Sequence, residues 1–198
     1  MGSLLGAGRL KGRACSCCLI SEIASSAASG SYLLQVSVIE STRFGQLKVE
    51  EEQLLFLPEG LIGIPDQHWV LISREPESPF IWLQSASNPD LALVVTQPEV
   101  FFPEYVLSLA EQQLSEIGLK DGDQVEVLAV VKAQGELPEW GINLAGPLVF
   151  DSASRRGAQL VNLSDSPVSA GLWDQRGLNQ IEITRPQLPV INHLREAD

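Results

Sequence analysis

Short runs of β-branched and aliphatic residues, four to nine long and separated by turn-forming residues, recur along most of this chain. Leu33, Leu34, Val36, Val38 and Ile39 form the first run, which enters a turn at Thr42-Arg43-Phe44-Gly45. Leu47 and Val49 follow among polar neighbours. After the acidic trio Glu50, Glu51 and Glu52, a short run at 54–57 ends at Pro58-Glu59-Gly60. Residues 69–72 read as another strand. Residues 80–83 and 91–95 are the clearest pair, with Asn88-Pro89-Asp90 between them, and a short polar link of this kind predicts an antiparallel hairpin. Its second strand is almost entirely apolar, which places it at the centre of the core.

One helix is signalled. Ser108 followed by Glu111 fits a capping box, Leu114 and Ile117 share a face, and Gly118 stands where a helix stops. Alternation then returns at Val125, Val127, Ala129 and Val131, and two further strands, 142–150 and 158–163, flank a turn at Arg155-Arg156-Gly157. The pattern predicts a mainly β fold: a small distorted antiparallel β-barrel with one short helix. Residues 1–31, rich in Ser, Ala and Gly, read as a disordered or non-native N-terminal extension. Residues 32–172 read as the β domain, and 173–198, with Pro186 and Pro189, as a C-terminal tail.

Charge sharpens this picture. The 198-residue chain carries a formal net charge of −12. Residues 1–39 hold three basic groups and one acid, so the remaining 10 basic and 24 acidic residues give −14 beyond them. Such a surface repels nucleic-acid phosphate and anionic lipid and attracts basic partners. Direct nucleic-acid and membrane binding are therefore not expected. No run approaches the roughly 18 apolar residues that span a bilayer, and a cytoplasmic location is expected.

Catalytic and cofactor signatures are sparse. Cys15, Cys17 and Cys18 cluster in the N-terminal extension, and no later cysteine completes a metal site. His68 and His193 lack ligand spacing. Gly6, Gly8 and Gly12 miss the dinucleotide fingerprint, and there is no phosphate-binding loop. Asn162-Leu163-Ser164 fits a glycosylation sequon that a cytoplasmic protein does not use. No catalytic residue, cofactor or metal is expected, although the abundance of acids leaves open a carboxylate-using hydrolase or ligand-binding β-barrel built on groups such as Asp90 and Glu104.

The hairpin residues also carry a resemblance. Pro79-Phe80-Ile81-Trp82-Leu83-Gln84-Ser85 and Asn88-Pro89-Asp90-Leu91-Ala92-Leu93-Val94-Val95 resemble the central signature of the FliW flagellar assembly factors. Further blocks follow that family's order: Thr42-Arg43-Phe44-Gly45, Pro58-Glu59-Gly60-Leu61-Ile62-Gly63, Phe101-Phe102-Pro103-Glu104-Tyr105, and Asn143-Leu144 through Pro147 to Arg156-Gly157-Ala158-Gln159. Leu57 and Ile64 stand where the family has phenylalanine, and Gly146 replaces an alanine. The resemblance implies a compact β-barrel-like fold and a non-enzymatic regulator that binds flagellin and antagonises CsrA, a small basic RNA-binding repressor of flagellin translation. The protein is then a monomer when free. A flagellin chaperone without the CsrA partner is the narrower version of this reading.

Partner contacts are expected at three places. Phe101 and Phe102 cannot both face inward on a regular strand, so one of them, with Tyr105, is a candidate apolar anchor. Gln84, Ser85, Asn88 and Asp90 around the hairpin turn are candidate polar contacts. Glu50, Glu51 and Glu52 are a candidate acidic face.

Overall fold

The computed structural model describes residues 36–116, 118–119, 124–133, 135–136, 139–172 and 185–193, all within one compact unit spanning Leu34–Asp198. The expected N-terminal extension and its cysteines lie outside the described residues.

Among the described residues, twelve strands carry the fold. The first two, β1 (Val36–Ser41) and β2 (Gly45–Glu50), pair with each other as an antiparallel hairpin. The larger sheet contains β3 (Leu55–Phe56), β4 (His68–Ser73), β5 (Ile81–Ser85), β6 (Ala92–Thr96), β7 (Val125–Lys132), β8 (Gly141–Ile142), β9 (Leu148–Asp151), β10 (Gly157–Gln159), β11 (Ala170–Gly171) and β12 (Val190–Asn192). Its main path runs β10-β9-β7-β6-β5-β4-β12, with β3 also on β4 and β8 joining β7 to β11. Strand β7 is the corner. Its first half pairs with β9, and from Ala129 onward it pairs with β6, so one bent strand serves two layers.

Strand β3 reaches back toward β10, where Phe56 bridges Arg156 and its amide donates to the Arg155 carbonyl at 3.0 Å. A single bridge rather than a ladder joins these two edges, which makes the barrel a distorted one. Among the described residues there are two short helices rather than one. Helix α1 (Pro98–Phe101) starts with a proline at its first turn, where the missing N–H costs nothing. Helix α2 (Glu111–Glu116) starts later than the capping box predicts: Gln113 Oε1 accepts from the Ala110 amide at 2.9 Å, while Ser108 turns its amide to Asn162 Oδ1.

Period-two alternation explains the core. Trp69 and Leu71 of β4 and Ile81 and Leu83 of β5 point inward, where they meet Leu55, Val95, Leu128, Leu148 and Phe150. Val70 and Ile72 point the other way and are covered by Ile39, Phe44, Leu47 and Val49 of the β1–β2 hairpin. Strand β4 is therefore buried on both faces, as its unbroken apolar run demands.

Two expectations are corrected. The apolar strand 91–95 is not the centre of the core, because Ala92, Leu93 and Val94 are half-buried and β4 and β5 hold the middle. Nor is the stretch after 172 merely a tail. Val190–Asn192 form β12 parallel to β4, and Leu188 lies in the main core at 3% exposure. The two prolines flank Leu188 without interrupting a ladder, because both precede β12. Among the described residues no helix is long and apolar enough to cross a membrane.

Candidate functional site: partner-facing surfaces

The hairpin β5–β6 forms the expected antiparallel pair, with Leu83 opposite Leu93. Its turn is held by two side chains that sequence reasoning assigned to partners. Gln84 has no exposed surface. Ser41 Oγ donates to its Oε1 at 2.7 Å, and its Nε2 donates to the carbonyls of Ser85, Asn88 and Leu91, each at 3.0 Å. Ser85 is equally buried; its hydroxyl donates to Asp66 Oδ1 at 2.6 Å and accepts from the Ser87 and Asn88 amides. Both are internal braces, because the β1–β2 hairpin covers the outer face at Gln84 and the Asp66 segment covers Ser85. Asn88 and Asp90 remain exposed, with Asn88 Oδ1 accepting the Asp90 amide at 3.1 Å.

Asp66 also accepts from the Ser87 hydroxyl at 2.6 Å. The Ser85 hydroxyl, and then that of Ser87, hold its carboxyl below the ordinary value of 3.8, since they bond the charged form.

Phe101 and Phe102 lie at the end of α1 rather than on a strand, which removes the alternation argument. Phe101 is buried at 4% exposure and stacks on Phe80 with ring centroids 5.6 Å apart. Phe102 is half-buried against the same cluster. Tyr105 is half-buried too: its hydroxyl donates to the Leu144 carbonyl at 3.2 Å and accepts from Asn162 Nδ2 at 3.1 Å. Burial pushes this phenol above its ordinary value of 10.0, and the Asn162 bond offsets part of that. None of the three rings stands free in solvent.

Glu50, Glu51 and Glu52 are all exposed. Glu50 ends β2, and Glu51–Gln53 make one 3₁₀ turn, whose three-residue period fans the side chains outward instead of alternating them. Asp90 and Glu104, the acids of the hydrolase reading, are both exposed as well.

The exposed apolar surface lies elsewhere. Between Gly60 and Gly63 the chain makes a two-residue turn in which the amides and carbonyls of Leu61 and Ile64 exchange bonds of 2.8 Å. At its tip Ile62 is 77% exposed, and its amide is pinned by Gln159 Oε1 at 2.9 Å. Beside it runs a groove of about 360 Å³ walled by Ile62, Ile64, Leu93, Val130 and Val168, with Lys132 and Gln159 at its polar positions. Val168 is itself 74% exposed. A rigid turn presenting a bare isoleucine at the mouth of an apolar groove is the kind of surface that partners cover. Sequence reasoning used Leu61-Ile62-Gly63 only as part of a family block and Ile64 only as a departure from it; the available signal was an isoleucine next to Gly63 just after the Pro58-Glu59-Gly60 turn, where the chain reverses.

Comparison with known proteins agrees with this architecture. The FliW protein family matches residues 38–170. The flagellar assembly factor FliW of Geobacter sulfurreducens is 33% identical over 123 residues, covering 62% of this chain and 77% of that protein. The FliW of Leptospira interrogans is 36% identical over 130 residues, covering 65% and 87%. A crystal structure of the flagellar assembly factor FliW superposes with a TM-score of 0.64 at 22% identity, covering 71% of this chain and all of that one, and so shares the fold. The matched segment runs from β1 through the start of β11, and on that evidence the chain belongs to the FliW family of flagellar assembly factors.

Proposed function

We propose that this chain is a cytoplasmic, non-enzymatic regulatory binding protein that holds flagellin and, once flagellin is exported, captures CsrA and lifts its repression of flagellin translation. The observation that carries the reading is the family match over residues 38–170, which takes in every strand from β1 to β10. Two surfaces support the two partners. Flagellin waiting for export has helical ends with apolar faces, and the groove beside Ile62 and Val168 offers a matching apolar bed. CsrA is basic, and residues 40–175 carry 7 basic and 21 acidic side chains, a net of −14, with Glu50, Glu51 and Glu52 on an open turn. Complementary charge of this kind acts mainly on the association rate. Neither event requires a reacting group, and the free protein acts as a monomer.

The test is direct binding of the full chain to purified flagellin and to CsrA. Ile62→Ser weakens flagellin binding by about tenfold, the loss of one buried aliphatic anchor, with the melting temperature unchanged. Replacing Glu50, Glu51 and Glu52 by Gln slows CsrA capture and flattens its salt dependence without changing release. Failure of the chain to bind either protein overturns the proposal.

A further inference from the structure

Arginine supplies nine of the 13 basic side chains of this acidic chain, and three of the nine meet at one edge of the sheet. Arg43 lies in the β1–β2 turn, Arg74 directly follows β4, and Arg185 precedes β12. Arg74 donates through Nη2 to the Arg43 carbonyl at 2.8 Å. Arg185 donates to Ser73 Oγ at 3.1 Å and to the carbonyls of Glu75 and Pro76. Among the described residues these guanidinium groups bond neutral acceptors, and no carboxylate neutralises them. Two sit over rings: Arg43 is 4.8 Å from the Trp82 centroid and Arg74 4.9 Å from that of Phe44, and the two rings meet edge to face at 5.9 Å. Stacking strips water from one side of each cation and leaves its charge intact.

Beside this stack is a cleft of about 200 Å³, lined by Arg74, Phe80, Trp82, Val94 and Trp140. It is distinct from the apolar groove: Leu93 faces the groove and Val94 the cleft, and adjacent strand residues point to opposite faces. Two of its lining residues hold donors without acceptors, since Arg74 Nε and Trp140 Nε1 are buried and make no hydrogen bond among the described residues. Buried N–H groups are nearly always paired, so two orphans in one cleft mark a missing acceptor. Both atoms are buried in residues that line the cleft, so a ligand oxygen reaches them on a turn of the Trp140 or Arg74 side chain.

We infer that this cleft binds a carboxylate side chain carried by a partner polypeptide. A carboxylate brings two coplanar acceptor oxygens and a negative charge, which suits a guanidinium edge and an indole N–H together. Phe80, Trp82 and Val94 supply apolar walls for the side chain's stem and its neighbours. The volume is below the roughly 300–1,000 Å³ of small-molecule sites, which fits one side chain rather than a cofactor. Glu75 also lines the cleft, but it is exposed and makes no ion pair with Arg74 among the described residues. The partner segment recognised here is acidic, opposite in sign to the partner drawn by the Glu50 to Glu52 face, and the inference stands whether or not flagellin and CsrA are the partners.

The probe is a blocked peptide, acetyl-Gly-Leu-Glu-Glu-Gly-amide, titrated into the full chain against its Gln-Gln counterpart, with inorganic phosphate as a further arm and the indole N–H resonances as readout. The acidic peptide shifts the Trp140 indole signal saturably, and the Gln-Gln peptide does not. Trp140→Phe, which keeps the ring and removes the donor, weakens binding about fivefold, and Arg74→Gln weakens it about tenfold or more, the loss of a charge-assisted bond. If Arg74→Gln does not fold, Trp140→Phe decides alone. Equal binding of both peptides, no shift of the indole, or binding that survives both substitutions overturns the inference. Phosphate shifting the same signal at lower concentration reassigns the cleft to phosphate and overturns it too. Asp174 and Glu182 lie in the stretch joining Leu172 to Arg185; if Asp174→Asn/Glu182→Gln binds the peptide markedly tighter than the parent, the chain's own acids are the occupant and the partner assignment falls.

Discussion

Replacing Gln84 by Leu tests whether the polar residues of the β5–β6 hairpin serve the fold or a partner. The side chain has no exposed surface, accepts from Ser41 Oγ at 2.7 Å and donates to the Ser85, Asn88 and Leu91 carbonyls at 3.0 Å each. An amide nitrogen has two hydrogens, so the three donor contacts amount to about two full bonds; with the Ser41 bond, roughly three are lost at about 1 kcal/mol each. The substitution also leaves the Ser41 hydroxyl and at least one carbonyl buried without a partner, which adds about 1–3 kcal/mol. Leucine nearly fills the space, so little cavity cost is added. The expected loss is therefore about 4–6 kcal/mol, or roughly 10–20 °C in melting temperature for a domain of this size. Urea denaturation followed by tryptophan fluorescence measures it, with Trp69 fully buried in the core as reporter. A loss below about 1 kcal/mol with an unchanged m-value refutes the bracing role.

Three further outcomes follow from the same geometry. Phe101→Ala removes a ring stacked in the core and lowers stability by about 3–5 kcal/mol, whereas half-buried Phe102→Ala costs clearly less, and chemical denaturation of the pair ranks them. Gly60→Ala forces a side chain onto a residue at φ +68°, where its Cβ meets the Ile64 carbonyl oxygen and the Pro65 backbone; a loss of about 1–3 kcal/mol or more is expected, with weaker flagellin binding because the Ile62 turn moves. Since Asp66 has its carboxyl lowered by the Ser85 and Ser87 hydroxyls, its contribution is present above the ordinary value of 3.8 and is lost as pH falls through the lower folded value; Asp66→Asn therefore flattens the acid limb of a melting-temperature profile.

The sequence by itself determined the elements and their kind. Alternation and turn residues marked β5–β6 as a hairpin, the short apolar run 69–72 marked a strand, and the ordered motif blocks marked the family. These signals are local, set by chain sterics and by the two-residue period of a strand. Which of a strand's two faces receives a cover is decided by segments far away. Gln84 and Ser85 read as surface polar residues until Ser41, 43 positions earlier, and Asp66, 19 positions earlier, close over them. Arg185 reaches Ser73 across 112 positions, so the stretch read as a tail gains a strand and a core leucine that no local pattern announces. Phe101 and Phe102 were misread because alternation was applied to a helix end. The groove beside Ile62 and the arginine cleft are properties of the tertiary structure alone: each is assembled from strands and turns distant in sequence, and its shape is a matter of packing, which composition and periodicity do not encode.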